Sequence, residues 1–181
     1  MFSWLNTEAL PAWLQAFAGI VALGISVWAV LHANAAEKRR DKLKARGIAV
    51  AIFPELLKLD DTIENARSTL ERLKSNPRVL VGQAIAATVA GGQIAIPPMV
   101  DRNVDGLYLL GEPAGPSCLQ LISILLQYNA LVIDVASRMM VMNADQWKEG
   151  IEHLESHLTL VAAVVAKCQS AVRPIHDAVR G

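Results

Sequence analysis

Apolar residues fill the first part of the chain, and the pattern changes abruptly near residue 37. Residues 9–36 contain no Asp, Glu, Lys or Arg, and within residues 12–31 the only clearly polar side chains are Gln15 and Ser26. A helix needs about 20 apolar residues to cross a bilayer core about 30 Å thick. The sequence therefore predicts one membrane-spanning helix, within an N-terminal membrane-spanning segment of residues 1–36.

The charges that flank this segment predict its direction. Residues 37–46 carry six basic and two acidic side chains, whereas residues 1–8 carry one Glu and no Lys or Arg. Positive charge next to a span favours the cytoplasmic side, so we expect a single pass through a bacterial-type inner membrane with the C-terminal part in the cytoplasm. The basic juxtamembrane run, 37–46, should contact anionic lipid headgroups, and indole rings favour the headgroup boundary. The membrane anchors predicted in this way are Trp13, Trp28, Lys38, Arg39 and Arg40.

A cleaved signal peptide is the alternative interpretation of the same segment. Residues 33–35 read Ala-Asn-Ala, which matches a small-residue cleavage site. A signal peptide also has a basic n-region and an apolar core of only 7–15 residues. This chain has neither feature, and we therefore favour a retained span.

Small residues line one face of the predicted span. Ala18, Ala22 and Ser26 recur at intervals of four residues. Such spacing lets two membrane helices approach closely. The pattern predicts a helix-association face and a homo-oligomer, although alanine is also common throughout this chain.

The rest of the chain has the composition of one soluble helical domain. Residues 47–181 carry 11 basic and 14 acidic side chains, so no basic surface indicates a nucleic-acid partner. The segment 47–181 is long enough to enclose one hydrophobic core of ordinary size. The two cysteines, Cys118 and Cys168, are expected to remain buried thiols in the cytoplasm.

Two seams of apolar residues at spacings of three and four predict long packed helices. Pro54 should kink the first of these helices or mark a restart. The first seam is Ile52, Leu56, Leu59, Ile63, Ala66, Leu70 and Leu73. The second seam is Trp147, Ile151, Leu154, Leu158, Val161, Val165, Cys168, Val172 and Ile175.

The uncharged residues 79–100 lie between these helices and allow several interpretations. A short buried helix to about Ala90, followed by a turn at Gly91-Gly92, agrees best with the glycines and prolines. A hairpin, a re-entrant membrane segment and a second membrane span are the alternatives. A further apolar helix over residues 117–142 is predicted to begin at a capping box of Ser117 and Gln120.

These elements together predict an all-α fold. One N-terminal transmembrane helix is followed by a cytosolic antiparallel helical bundle over residues 47–181. Asp134 and Arg138, four residues apart on one helix, are expected to form an ion pair. Asn143 and Gln146 are expected to begin the last helix.

Candidate chemistry is sparse. Glu149, His153 and His157 share one helix face and form a weak candidate metal site, but the HExxH pattern is absent because residue 154 is Leu. Cys118 near a predicted helix N-terminus is a candidate nucleophile if His153, His157 or His176 lies close enough to act as a base. A solvated helix face and a buried thiol explain the same residues more simply, so we expect neither a cofactor nor a metal.

The sequence therefore favours a membrane-tethered helical interaction or scaffold protein without catalytic activity, which self-associates or binds an unidentified protein. An oligomeric membrane pore or membrane-perturbing effector is the alternative, suggested by the small-residue face and by the uncharged residues 79–100. A metal- or thiol-dependent enzyme is the third and weakest hypothesis.

Overall fold

The computed structural model describes residues 12–75, 82–138 and 141–179. All regular elements in these ranges are helical, which confirms the all-α class for the described part of the chain. The α-helices are α1 (Ala12–Ser75), α2 (Gly82–Ala90), α3 (Pro98–Arg102), α4 (Ala114–Arg138) and α5 (Ala144–Asp177), and a 3-10 helix spans Val104–Leu110.

The chain divides into two compact units, Met1–Leu43 and Lys44–Gly181. The boundary lies inside α1, which passes through Gly47 and Pro54 without ending. The predicted restart at Pro54 is therefore wrong. Proline removes only one backbone hydrogen bond from a helix, and here Pro54 is exposed while its neighbours Ile52 and Phe53 are buried.

In the second unit, α1 and α5 run antiparallel. Residues further along α1 contact residues progressively earlier in α5, and three contacts give this order. The rings of Phe53 and His176 are 4.6 Å apart, Gln169 Nε2 donates to the Leu56 carbonyl at 2.9 Å, and Lys74 Nζ lies 2.9 Å from Glu155 Oε2.

The pair α4 and α5 is also antiparallel. Cys118 and Gln120, near the start of α4, contact Cys168 and Lys167 in the second half of α5. Because α1 and α4 both oppose α5, they run parallel to each other. The connection between them must therefore return along the length of the unit, and it carries α2, α3 and the 3-10 helix.

The two predicted seams lie in the core of this unit. All seven residues of the first seam are at most 6% exposed. The second seam is buried from Ile151 to Val172, and Trp147 and Ile175 at its ends are half-buried. The spacing of three and four therefore identified the packed faces of α1 and α5 correctly.

The connection is a short helix followed by a turn, as expected. The helix α2 packs against α4, and backbone hydrogen bonds close the turn at Gly91 and Gly92. Val89 and Ile94 are at most 2% exposed. A nine-residue helix is about 14 Å long, which is too short to cross a bilayer. The described residues 82–100 therefore contain neither a strand pair nor a helix of spanning length, and residues 79–81 lie outside the described part of the chain.

The helix α4 begins at Ala114, three residues before the predicted start. Ser117 does not cap it, because its hydroxyl donates to the Pro113 carbonyl at 2.7 Å. The early start depends on tertiary packing. A Cβ at Gly115 would lie 2.6 Å from the Leu107 carbonyl oxygen, so glycine is needed where α4 meets the 3-10 helix.

The predicted start of the last helix and the predicted ion pair on α4 are confirmed. Asn143 Oδ1 accepts from the Gln146 N–H at 2.9 Å, and the Gln146 side chain accepts from the Asn143 N–H at 3.1 Å. Arg138 Nη2 lies 2.7 Å from Asp134 Oδ1.

Candidate functional site

The first unit presents large apolar side chains to its surroundings. Every described side chain from residue 19 to residue 40 is exposed. Exposed fractions reach 70% at Ile20, 69% at Leu23 and 64% at Leu31. A continuous apolar surface of this kind marks a protein–protein or membrane contact rather than a water-facing helix.

The structure places the predicted anchors along this helix. Trp28 is 65% exposed, and Lys38, Arg39 and Arg40 are exposed as well. The indole of Trp28 stacks on the imidazole of His32 at a ring-centroid distance of 5.2 Å. The four-residue spacing of Trp28 and His32 in the sequence could have predicted this contact. The side chain of Trp13 lies outside the described residues.

The predicted helix-association face is only partly described. Ala22 and Ser26 are exposed, and the side chain of Ala18 lies outside the described residues. The Ser26 hydroxyl donates to the Ala22 carbonyl at 2.9 Å. This bond satisfies the only donor of the hydroxyl and so lowers the cost of placing it in lipid. A shallow apolar groove lies beside Ser26, lined by Leu23, Val27, Val30 and Leu31.

Among the described residues, three helices are long and apolar enough to cross a membrane by length and composition. They differ in how much of the apolar stretch is buried inside the protein: none of it in the first part of α1, 33% in α4 and 28% in α5. The apolar residues of α4 and α5 include Leu125 and Leu158, which lie in the core of the second unit. The protein core therefore explains part of the hydropathy of α4 and α5, and none of that of the first part of α1.

A second apolar surface lies on the outward face of α4. Leu119, Leu126 and Ile133, seven residues apart, are 48%, 55% and 56% exposed. Residues 114–133 contain no charged side chain, so this face is uncharged for most of its length. We call Leu119, Leu126 and Ile133 the α4 stripe.

The two cysteines meet at the interface between α4 and α5. Their Sγ atoms are 3.1 Å apart, and both side chains are fully buried. The hydrogen bond with the Cys168 thiol, in which either sulfur can be the donor, lowers the pKa of Cys118 and outweighs burial, which raises it. The same hydrogen bond, together with burial, raises the pKa of Cys168. Periodicity placed Cys168 in the core, but it gave no sign that Cys118 would be its partner.

The structure weakens the candidacy of Cys118 as a histidine-activated nucleophile. Cys118 is the fifth residue of α4 rather than the first or second, so its backbone is past the free N–H groups of the helix start. Among the described residues, its polar contact is the Cys168 thiol. The His176 ring instead contacts Phe53 and the Asp177 carboxylate.

The candidate metal ligands are brought together only in part. The rings of His153 and His157 are 4.7 Å apart and edge to face. His157 Nδ1 lies 3.2 Å from the carbonyl oxygen of His153. A metal site needs at least three suitably placed ligands, and residues 12–75, 82–138 and 141–179 contain no such group of His, Cys, Asp or Glu side chains. Glu149 therefore does not act as a third ligand beside His153 and His157.

A polar groove between α1 and α5 is lined by charges of both signs. Arg67 pairs with Glu64 at 3.1 Å, and Lys74 pairs with Glu155 at 2.9 Å. The hydrogen bond to Glu155 raises the pKa of Lys74. Because its cations already have acidic partners, the groove does not offer a field of one sign to a charged ligand. Its lining residues are Arg67, Glu71, Lys74, Glu155, Leu158 and Thr159.

Comparison with known proteins adds no relative to this description. No family model, no curated protein and no solved structure matches the chain.

Proposed function

We propose that this protein is a single-pass membrane-anchored interaction module without catalytic activity. In this proposal the first part of α1 crosses the inner membrane, the helical bundle of the second unit lies in the cytoplasm, and the α4 stripe receives a protein partner. The observation that carries the proposal is the exposed apolar surface from Ile20 to Leu31.

Energetics support insertion of this segment. Leu, Ile, Val and Phe side chains each favour insertion at mid-membrane by roughly 0.3–0.6 kcal/mol. Between residues 20 and 31 the chain carries seven such side chains, Ile20, Val21, Leu23, Ile25, Val27, Val30 and Leu31. Together they contribute roughly 2–4 kcal/mol, and Ser26 opposes insertion weakly because its hydroxyl is already bonded.

Charge supports the direction of insertion. The exposed side chains of Lys38, Arg39 and Arg40 follow the apolar surface directly. Lys and Arg within 15–20 residues of a span end set its orientation, and they also attract anionic lipid. The cytoplasmic side is therefore proposed for everything that follows residue 46.

The α4 stripe supports the interaction role. Three exposed large apolar side chains on a face without charge are typical of a surface that is covered in use. Self-association through Ala18, Ala22 and Ser26 is a second part of the proposal, because small residues allow close helix approach in lipid.

The pore alternative has less support. It drew on the small-residue face and on residues 79–100 entering lipid, but Val89, Ile94 and Val100 are buried in the core of the second unit. A mass measurement of the detergent-solubilised chain separates the two functions. A monomer or dimer agrees with the interaction module, whereas a ring-sized oligomer would favour the pore.

Location and direction are tested in membranes. The full chain should resist extraction by alkaline carbonate, and a reporter fused after Gly181 should be active only in the cytoplasm. Release by carbonate, or a reporter active outside the inner membrane, would contradict the proposal.

A charge-matched pair of variants tests the cause of the direction. Replacing Lys38, Arg39 and Arg40 with Glu should reduce the fraction of chains with a cytoplasmic C-terminus. The control replaces Arg72, Arg102 and Lys148 with Glu, which changes the net charge equally but lies beyond 20 residues from the span. The control should keep the wild-type direction, and equal behaviour of the two variants would show that juxtamembrane charge is not the cause.

The role of the α4 stripe is tested by copurification from membranes. Replacing Leu119, Leu126 and Ile133 with Ser should abolish the recovery of a stoichiometric partner. The control replaces the exposed Val104, Val141 and Val179 with Ser, which removes apolar side chains from other surfaces. Loss of the partner in the control as well would show that general surface hydrophobicity recruits it.

A further inference from the structure

Cys118 and Cys168 are placed for a covalent bond although they are fifty residues apart in the sequence. The distance between their Sγ atoms is 3.1 Å. A disulfide requires about 2.05 Å between sulfur atoms, so an approach of about 1 Å would join them. The two residues lie on facing helices, α4 and α5, and the packing of these helices holds both side chains at this distance.

The environment distinguishes the two sulfur atoms. Either thiol can donate across this contact, but once Cys118 is ionised the Cys168 S–H donates to its thiolate, which lowers the pKa of Cys118 and makes it the better nucleophile. Full burial excludes bulk water and large reagents from both atoms. A small oxidant reaches them only through transient opening of this end of the α4–α5 interface.

We propose that Cys118 and Cys168 form a reversible disulfide that links α4 to α5 when the protein meets a peroxide. This redox site is independent of the proposed interaction function, and its presence follows from the two thiols alone. The disulfide would make the rigidity of the second unit depend on whether the protein is in reducing or oxidising conditions.

The reaction balances in two steps. The Cys118 thiolate attacks one peroxide oxygen, the O–O bond breaks, and Cys118 becomes a sulfenic acid while hydroxide leaves and takes a proton to form water. The Cys168 sulfur then loses its proton and attacks the Cys118 sulfur, the S–O bond breaks, and a second water leaves. Two thiols and one hydrogen peroxide thus give one disulfide and two waters.

The bond would stabilise the folded unit. Closing a loop of this length restricts the unfolded chain, and disulfides typically stabilise proteins by constraining that state. Thermodynamic linkage makes two effects equal. If the disulfide raises the equilibrium constant for folding by some factor, folding raises the equilibrium constant for disulfide formation by the same factor. The equilibrium for disulfide formation is therefore the quantity to measure.

The test uses the full chain in detergent micelles, reduced first and then treated with hydrogen peroxide. We expect the intact mass to fall by two hydrogen atoms, peptide mapping to join Cys118 to Cys168, and dithiothreitol to reverse both changes. Sulfinic or sulfonic acid at either cysteine, or a disulfide between two chains, would overturn the proposal.

A second measurement compares the folded and the denatured chain in glutathione redox buffers. The equilibrium constant for the intramolecular disulfide should be at least about tenfold larger in the folded chain. The oxidised protein should also melt at least about 4 °C above the reduced protein. Equal constants in the two states would show that the fold holds the thiols close without favouring the bond.

Single-residue variants provide the control. Cys118→Ser and Cys168→Ser should each lose the peroxide-induced rise in Tm while keeping wild-type helicity by circular dichroism. If a serine destabilises this buried site, the wild-type measurements still decide the question, because they require no substitution. A Tm rise that persists in both variants would mean that peroxide acts elsewhere on the chain.

Discussion

The carboxylate of Glu55 on α1 accepts a hydrogen bond of 2.8 Å from the backbone N–H of Met99, the second residue of α3. The first N–H groups of a helix have no partner within that helix. Pro97, which precedes α3, has no side chain able to cap it. Glu55 therefore acts as a cap from another helix and fixes α3 against α1.

Replacing Glu55 with Ala should lower the free energy of unfolding by about 1–2 kcal/mol. The substitution leaves the half-buried Met99 N–H without its charged acceptor, and hydrogen bonds to charged groups contribute more than neutral ones. Thermal unfolding of the full chain in detergent, followed by circular dichroism, measures the change. Asp61→Ala is the matched control, since Asp61 is an exposed acid on the same helix. If both variants lost the same free energy of unfolding, the loss would come from removing a negative charge and not from removing the cap.

The sequence was sufficient to predict which faces of α1 and α5 are buried. A residue such as Leu56 or Leu158 is buried because the helical period returns it to the same side every three or four positions. The start of α5 was predictable for a similar reason, because the hydrogen bonds of Asn143 and Gln146 are local. Periodicity and capping depend only on near neighbours in the chain.

The polar contacts between distant segments were not predictable from one sequence. Glu55 and Met99 are 44 residues apart, and Cys118 and Cys168 are 50 residues apart. No local pattern specifies which of many polar groups will meet across helices. The start of α4 was predicted wrongly for the same reason, because the contact of Gly115 with the 3-10 helix is a tertiary effect.

Asn129 should be the most sensitive polar residue of the second unit. Its side chain makes two hydrogen bonds with the buried Ile94: it accepts from the N–H at 2.9 Å and donates to the carbonyl at 2.8 Å. These bonds hold the segment between α2 and α3 against α4. Asn129→Ala leaves both backbone groups without partners and should lower the free energy of unfolding by about 2–4 kcal/mol.

The control for Asn129 is Gln127→Ala, an exposed amide on the same helix whose contact with Ser123 is 3.3 Å long. It should change the free energy of unfolding by less than about 0.5 kcal/mol. Asn129→Asp keeps the acceptor and loses the donor, so its loss should lie between the two. If Asn129→Ala were no worse than Gln127→Ala, Ile94 would have other partners.

Leu158 and Leu160 on α5 allow a direct comparison of a buried and an exposed leucine. Leu158 is 1% exposed in the core, and Leu160 is 51% exposed. Leu158→Ala should lower the free energy of unfolding by about 2–5 kcal/mol, because it removes buried methyl groups and leaves a cavity. Leu160→Ala should cost less than about 0.5 kcal/mol, measured by the same thermal unfolding. Equal losses would mean that the face carrying Leu160 is covered in solution.

Tyr128 is expected to behave in the opposite way to Asn129. It is fully buried on α4, and its hydroxyl is one of two buried side-chain polar atoms without a hydrogen-bond partner in the described part of the chain. Removing an unpaired buried hydroxyl removes its desolvation cost. Tyr128→Phe should therefore leave the free energy of unfolding at pH 7 unchanged or raise it by up to about 1 kcal/mol. A loss larger than that would reveal a hydrogen bond to the hydroxyl.

The same residue predicts a loss of stability in alkali. Burial raises the pKa of Tyr128 from 10.0 to about 12. Between pH 10 and pH 12 the unfolded chain loses the phenolic proton while the folded chain keeps it, so rising pH favours the unfolded state. The wild-type Tm should thus fall more steeply across this interval than that of Tyr128→Phe. The control is Tyr108→Phe, at a tyrosine that is 72% exposed, and its Tm should change with pH as that of the wild type does. If the Tm of Tyr128→Phe and of the wild type fell in parallel, the Tyr128 phenol would reach water before the protein unfolds.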